Sequence, residues 1–291
     1  AGGTTGLKMS GSMALRLTGP STYGGTTDLR TGTLVVVGSS SANALYAPGL
    51  GSAKLFSGPF GRGTISMGAD TSMLVDDAAV RTILNAVTFE GGTLTVNQLP
   101  GLLTTSALTL GGSLNYAAGP LAIRLPDNNP NFTLNLMGQS SQSVMSGITS
   151  IVKSGSGNLS LNVTNLSGTT PITINNGSLS LLTDGDGLAT ANTISLGTLS
   201  YMPTLVSSTS VPTLTIGRAG QTQVFNQSAN KTIAPDSFIV SNGSYGLNLY
   251  AYNGYGLRVK DAMTLNPTLG GTFTVATATE SNQVPGLTLS G

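Results

Sequence analysis

The stretch IVKSGSGNLSLNVTNLSGTTPITINNGSLSLL, residues 151–182, alternates apolar and polar side chains with a period of two. Leu159 and Leu161 flank Ser160, and the same spacing recurs at residues 172–174. Such alternation is typical of a short strand with one buried face, and the Gly, Asn and Pro residues between the runs are typical of tight turns. The stretch therefore predicts short strands joined by turns.

The same pattern occurs near the start of the chain, in GLKMSGSMALRLTGPSTYGGTTDLRTGTLVVV at residues 6–37. Aligned with small gaps, Lys8 falls on Lys153 and Leu15 falls on Leu159. Repeats of short strands and turns at this spacing indicate a solenoid, in which each repeat stacks on the next one. The predicted fold is all-β, a parallel β-solenoid (β-helix) with Gly/Asn turns and polar Asn, Ser or Thr ladders between coils.

One region allows two interpretations. Between residues 75 and 87, Val75, Ala79, Ile83 and Val87 recur at a four-residue spacing that a helix would also show. The flanking sequences alternate as strands do, so we expect strands throughout residues 55–97.

The strongest loop signal is LPDNNPNF at residues 125–132, which combines two prolines, an aspartate and three asparagines. We expect a single β-solenoid over residues 1–291, with this loop separating two candidate repeat blocks, 1–124 and 133–291.

The composition excludes several classes of function. Only 8% of the residues are charged, with 12 basic and 11 acidic side chains, so no footprint for nucleic acid is visible. The chain has no His and no Cys, which excludes Ser-His-Asp and Cys-His sites. No apolar run approaches the ~18 residues of a membrane span. We therefore expect no enzymatic activity, no cofactor, no nucleic-acid partner and no membrane insertion, and the scarcity of charge favours a secreted protein.

Acidic residues offer one alternative, a carbohydrate-active β-helix enzyme. Side chains that could line a groove for such an enzyme are Asp70, Asp76, Asp77, Arg81 and Glu90. Asp76 and Asp77 are adjacent, so in a strand their carboxylates point to opposite faces, which is poor geometry for a paired-carboxylate site. The simpler interpretation is that these are turn and surface charges.

Two further patterns have simple structural explanations. The sequence DGDG at residues 184–187 resembles part of a calcium loop, but a full loop needs more ligands, and a plain turn explains it. A group of tyrosines is explained either by sugar binding or by aromatic stacking between coils: Tyr245, Tyr250, Tyr252 and Tyr255.

Three stretches carry a resemblance to a known family. LRLTGPSTYGGTTDLRTGTLVV at residues 15–36 and VKSGSGNLSLNVTNLSGTTPITINNGSLSL at residues 152–181 resemble the autotransporter passenger-associated β-strand repeat, and VRTILNAVTFEGGTLTV at residues 80–96 resembles a second recurrent segment of the same proteins. The resemblance implies a right-handed β-solenoid that is secreted to the bacterial cell surface.

The two termini suggest how such a solenoid assembles. The last residues, LTLSG, resemble the first half of a join between repeats, and residues 1–8 resemble the second half. We expect the tail of one subunit to stack on the head of the next, because neither end shows a charged or helical cap. The candidate head interface is Ala1, Gly2, Gly3, Leu7 and Lys8. The candidate tail interface is Val284, Leu287, Leu289 and Gly291.

The expected function is that of a structural subunit of an extracellular bacterial fibre, with itself as partner and surface glycans or other cells as further candidate partners. The alternative is an autotransporter-type passenger that acts as an adhesin or stalk. A covalent joint between subunits is a further hypothesis, with Lys8 forming an isopeptide bond to Asn282 assisted by Glu280.

Overall fold

The structure is a computed structural model of the 291-residue chain. The structure describes residues 5–42, 55–69, 71–99, 105–116, 119–136, 148–162, 171–182, 193–196, 213–216, 231–233, 235, 237–240, 245–250, 255–259, 262–265, 273–278 and 286–289. All regular elements among these residues are strands, so the expectation of strands over residues 55–97 is confirmed wherever that region is described.

The strands are short and are numbered in chain order. They are β1 (Leu7–Met9), β2 (Ala14–Arg16), β3 (Thr27–Leu29), β4 (Thr33–Val36), β5 (Ser41–Ala42), β6 (Leu55–Ser57), β7 (Ile65–Met67), β8 (Ser72–Val75), β9 (Val80–Ile83), β10 (Val87–Phe89), β11 (Thr93–Gln98), β12 (Ser106–Leu110), β13 (Leu114–Tyr116), β14 (Gly119–Arg124), β15 (Phe132–Leu136), β16 (Ile148–Ser154), β17 (Asn158–Asn162), β18 (Ile172–Ile174), β19 (Ser178–Leu182), β20 (Thr193–Leu196), β21 (Thr213–Ile216), β22 (Lys231–Ile233), β23 (Ser237–Val240), β24 (Tyr245–Tyr250), β25 (Tyr255–Val259), β26 (Ala262–Leu265), β27 (Phe273–Ala278) and β28 (Gly286–Leu289).

Most of these strands stack into parallel sheets. Sheet 1 has the order β1-β3-β7-β10-β13, and sheet 2 has the order β2-β4-β8-β11-β14-β16-β18-β20-β23-β26. Sheet 3 has the order β9-β12-β15-β17-β19-β21-β24-β27, and sheet 4 consists of β22, β25 and β28. A separate antiparallel pair joins β5 and β6.

Successive strands of the chain visit the sheets in a repeating order. For example, β7, β8 and β9 lie in sheets 1, 2 and 3, and β10, β11 and β12 repeat that order one coil later. Sheet 4 takes the place of sheet 1 in the coil formed by β25, β26 and β27. This arrangement confirms the predicted parallel β-solenoid.

Residues in the same position of successive coils form columns along the solenoid. One aliphatic column of sheet 3 runs through Leu108, Leu134, Leu159, Leu179, Leu214, Leu247 and Val275. The first four of these leucines are fully buried. The period-2 alternation is therefore confirmed for the inward-facing side of β17 and β19.

The outward-facing side of sheet 3 differs from the expectation of a half-buried strand. Ser160 and Ser180 are both buried, although they alternate with the inward leucines. Polar side chains here bond from coil to coil: Asn135 Nδ2 donates to Thr109 Oγ1 at 3.0 Å, and Ser180 Oγ donates to Asn158 Oδ1 at 3.2 Å. Such ladders satisfy several polar groups at covered positions, whereas the buried Ser160 Oγ has no hydrogen-bond partner among the described residues.

The two repeat stretches share corner geometry but lie on different sheets. Gly32 separates β3 from β4, at the corner between sheets 1 and 2, whereas Gly177 separates β18 from β19, at the corner between sheets 2 and 3. Both have positive φ values, 97° and 68°. The alignment of Leu15 with Leu159 therefore reflects corners of the same conformation, and the two leucines lie in different sheets of the solenoid.

The loop predicted at residues 125–132 forms the corner between β14 and β15. Leu125 and Asn129 are buried in it, and Ser156 Oγ of the next corner donates to Pro126 O at 2.9 Å. Sheets 2 and 3 continue past this corner, and the division into two repeat blocks stays a prediction.

We expect Gly177→Ala to destabilise the solenoid. An added Cβ would lie 2.5 Å from both Gly155 O and Gly157 O, and its φ of +68° disfavours any L side chain. The expected loss is about 2–4 kcal/mol of unfolding free energy, measured by denaturant unfolding. Gly19→Ala is the control, because nothing lies within 4 Å of its Cβ position. Equal stability of the two variants would contradict the corner geometry.

Candidate functional site

The first described coil, formed by β1 and β2, lies at one end of sheets 1 and 2. Each strand has one parallel neighbour, β3 for β1 and β4 for β2, and no other described strand pairs with their free edges. A free edge presents unpaired N–H and C=O groups that can receive another strand. This end of the solenoid is therefore chemically able to continue the ladder.

Apolar side chains of the first coil are incompletely covered. Leu7, Met9, Leu15 and Leu17 are half-buried, and the last three pack against the core. We call these four residues, together with the exposed Met13, the end face. Met13 is 77% exposed, the largest exposure among the large hydrophobic side chains of the described residues.

The columns show why this end face is unusual. Leu15 pairs in register with Leu34, and Leu34 pairs with Met73. Leu34 and Met73 are fully buried, whereas Leu15 is not. The end face is thus a row of core positions that no described coil covers.

Lys8 lies on the outer side of the first coil. It is exposed and pairs in register with Asp28 of β3, while its neighbours Leu7 and Met9 point inward. The remaining residues of the predicted head interface, Ala1, Gly2 and Gly3, lie outside the described residues. The structure therefore places the described part of the predicted head, Leu7 and Lys8, on the edge strand of sheet 1.

Ion pairs tie the first coils to later ones. Arg16 Nη2 lies 2.7 Å from Asp76 Oδ2, which is two coils further along the solenoid. In the coil between them, Val35 pairs in register with Arg16, faces outward and is buried. The Arg16 side chain is more than half exposed, so the stabilisation from this pair is small, on the order of 1 kcal/mol or less. The pair links the edge strand β2 to the residue that follows β8.

A second ion pair has the same axial direction. Arg30 bonds Asp28 in its own coil and reaches Glu90 two coils away, with Arg30 Nη1 2.6 Å from Glu90 Oε2. Gly68 occupies the intervening rung and has no side chain in the way. The hydrogen bond and charge of Asp28, with the charge of Glu90, raise the pKa of Arg30 above its ordinary value.

The other end of the described solenoid shows a similar loss of cover. Met263 of β26, at the end of sheet 2, is partly buried, while Phe238 one coil inward is fully buried. The predicted tail residues Leu287 and Leu289 lie in β28, the edge strand of sheet 4, in register with buried Leu257 and Val259. The other tail residues, Val284 and Gly291, and both cross-link partners, Asn282 and Glu280, lie outside the described residues.

The acidic residues considered for an enzyme are found in ion pairs. Asp76 pairs with Arg16, Asp77 pairs with Arg81, and Glu90 pairs with Arg30, while Asp70 lies outside the described residues. Within the described ranges, no group of three or more His, Cys, Asp or Glu is placed to hold a metal ion.

The remaining sequence candidates are spread over several places. Tyr245 and Tyr250 lie in β24 of sheet 3, and Tyr255 lies in β25 of sheet 4. Tyr252 and residues 184–187 lie outside the described residues.

From the sequence alone, Lys153 is the counterpart of Lys8, and no separate role follows for it. In the structure Lys153 is fully buried, in sheet 2, whereas Lys8 is exposed. The signal was present: Lys153 follows Ile151 by two positions, so it belongs to the inward-facing set of β16. Burial lowers the pKa of Lys153 to about 7, with the charge of Asp127 acting in the opposite direction.

Comparison of the chain with protein-family models, with curated proteins and with solved structures gives no match in any of the three. Among the residues that the structure describes, no helix is long and apolar enough to cross a membrane.

We expect truncation of the end face to cost the isolated chain little. Leu34→Ala should lower the free energy of unfolding by about 2–4 kcal/mol, because it leaves a cavity in a buried column. Leu15→Ala, one rung away in the same column, should cost about 1 kcal/mol or less, because water already reaches that side chain. Denaturant unfolding of the two variants at low protein concentration measures the difference. Equal losses would mean that Leu15 is covered in the isolated chain.

Proposed function

We propose that this chain is a structural subunit of an extracellular bacterial fibre, in which the C-terminal coil of one subunit stacks on the N-terminal coil of the next. The observation that supports this proposal most directly is the end face, a row of apolar core positions left half-covered on the first coil. Its natural cover is another coil of the same kind.

The parallel ladder makes self-stacking chemically reasonable. Every neighbouring pair in sheets 1, 2, 3 and 4 is parallel, so a coil added at either end would meet the same pattern of donors and acceptors. Joining one end to the opposite end uses two different surfaces, and such a head-to-tail interface propagates into an open filament rather than a closed ring.

The energetics require both apolar and main-chain contacts at the joint. Covering the exposed halves of four Leu and Met side chains contributes roughly 3–6 kcal/mol. Association of two proteins costs on the order of 4–15 kcal/mol in lost freedom of motion. The joint therefore also depends on the hydrogen bonds that continue the ladders of sheets 1 and 2.

The secreted, bacterial part of the proposal rests on the resemblance of residues 15–36 and 152–181 to the autotransporter passenger-associated repeat. The same resemblance supports the second candidate, a passenger that acts as an adhesin or stalk. In that case the solenoid works as a single rod, and the end face meets further coils of its own chain rather than a second copy.

Electron microscopy of the purified chain tests the proposal. We expect thin fibres with an axial repeat of about 50 Å, since sheet 2 has ten strands and parallel strands are spaced about 4.8 Å apart. Leu15→Asp should abolish the fibres, because it places a charge on the end face. The matched control is Asn97→Asp, which introduces the same charge at an exposed position in the middle of sheet 2.

Two outcomes would contradict the fibre. One is a wild-type chain that sediments as a monomer at every concentration tested. The other is a Leu15→Asp variant that assembles as well as Asn97→Asp. Isolated rods of one subunit length would instead favour the passenger or stalk.

We also propose that Lys8 forms an isopeptide bond across the joint with Asn282, assisted by Glu280. The exposed position of Lys8 on the edge strand β1 allows its amine to reach a second copy. The reaction joins Nζ to the side-chain carbonyl carbon of Asn282 and releases ammonia. We expect a ladder of multimers that survives boiling in detergent, with one ammonia lost per joint by intact mass. Lys8→Arg should abolish it and Lys54→Arg should not, and a clean monomer from wild-type fibres would disprove the bond.

A further inference from the structure

Lys153 occupies a position that is otherwise aliphatic. Its column in sheet 2 runs through Leu94, Ile123, Lys153, Ile174, Leu196, Val240 and Leu265. The two immediate neighbours, Ile123 and Ile174, are fully buried, and so is the lysine itself. A long side chain with a polar end therefore occupies one position of an otherwise apolar column.

The amine of Lys153 joins two successive corners. Its Nζ donates to Gly155 O at 2.8 Å, in the corner that follows β16, and to Asn176 O at 2.7 Å, in the corner that follows β18. Gly177 stacks directly on the first of these corners. One side chain thus connects the turns of two neighbouring coils through their main-chain carbonyls.

Neither hydrogen bond requires a charge, because a neutral amine also has two N–H donors. Within the described part of the chain, the charged side chains near this amine are Arg124, which ends β14, and Asp127, which follows that strand. The two pair with each other at 2.8 Å. Both are more than half exposed. The other strands packed around it, β15, β17, β18 and β19, contain no ionisable side chain. Among the described residues, an ammonium at this position therefore has no buried counter-charge.

We infer that Lys153 is a proton-sensitive latch between the corners at Gly155 and Asn176, strongest when its amine is neutral and weaker when the amine takes up a proton. The device goes beyond the proposed fibre and does not depend on it, because the latch lies inside the solenoid and away from the end face.

The direction of the pH effect follows from proton binding. Burial depresses the pKa of Lys153 from 10.5 to about 7 in the closed form, while the opened form recovers the ordinary value. Between these two values opening takes up one proton, so the closed form becomes more stable as the pH rises from about 7 to about 10.5. Below about 7 both forms are protonated, and the latch is at its weakest.

Hydrogen exchange measured by mass spectrometry tests the inference. After correction for the intrinsic exchange rate, the opening constant of peptides covering β16 to β19 should fall about tenfold for each pH unit between about 7.5 and 9.5, the slope for one linked proton. Lys153→Met and Lys153→Gln should both remove this slope, and the glutamine retains a donor if the methionine variant folds poorly. Lys231→Met, at a lysine in β22 of sheet 4, is the control and should keep the slope.

A second measurement reads the proton directly. The chain has five lysines, Lys8, Lys54, Lys153, Lys231 and Lys260, and carbon-13 labelling of their Cε atoms lets each titration be followed by nuclear magnetic resonance. We expect one signal to titrate near pH 7 and to disappear in Lys153→Met, and Asp127→Asn should move that midpoint to lower pH. A Lys153 signal that titrates above pH 10, or an exchange slope unchanged in both Lys153 variants, would overturn the latch.

Discussion

The parallel backbone ladder between coils is the constraint on which the rest of this structure depends. Because neighbouring strands pair in parallel, each inward position meets the same position of the next coil, and one choice of side chain is repeated along a column. In sheet 3 the repeated side chain is leucine, and the stacked leucines form a narrow core. The corners must then stack as closely as the strands do. A Cβ added at Gly32 or Gly177 would therefore lie about 2.5 Å from a main-chain carbonyl oxygen of the preceding corner.

The same ladder explains the chemistry of the ends. A coil inside the stack has its apolar side chains covered from both sides, whereas the first coil has a neighbour on one side among the described residues. Leu15 and Met263 are both core positions by register, and both are half-covered for this reason. Axial ion pairs such as Arg16–Asp76 link the edge strand to a later coil without covering its apolar side chains. An end that is ordered, apolar and open at its edge is suited to receiving another coil.

Period-2 alternation was sufficient to predict the strands and their inward-facing residues, as at Leu159 and Leu161. It was insufficient to assign a strand to a sheet, because alternation separates the two sides of a strand and contains no information on which side of the solenoid the strand lies. Lys8 and Lys153 were therefore treated as equivalent, although one is exposed on sheet 1 and the other is buried in sheet 2. The pairing of Arg16 with Asp76 was equally inaccessible, because it depends on the lengths of the intervening coils.

Lys153 shows how a stacked fold can accommodate a polar residue in its core. Two carbonyls at the corners, Gly155 O in a buried position and Asn176 O in a partly buried one, accept hydrogen bonds from Lys153 Nζ, and an aliphatic side chain in that column would leave both without this donor. A lysine supplies both hydrogen bonds from one flexible chain, and the desolvation of its charge is avoided when the amine is neutral. The side chain that satisfies these carbonyls is thus also the one through which we infer that the junction between two coils depends on pH, because its amine is a base.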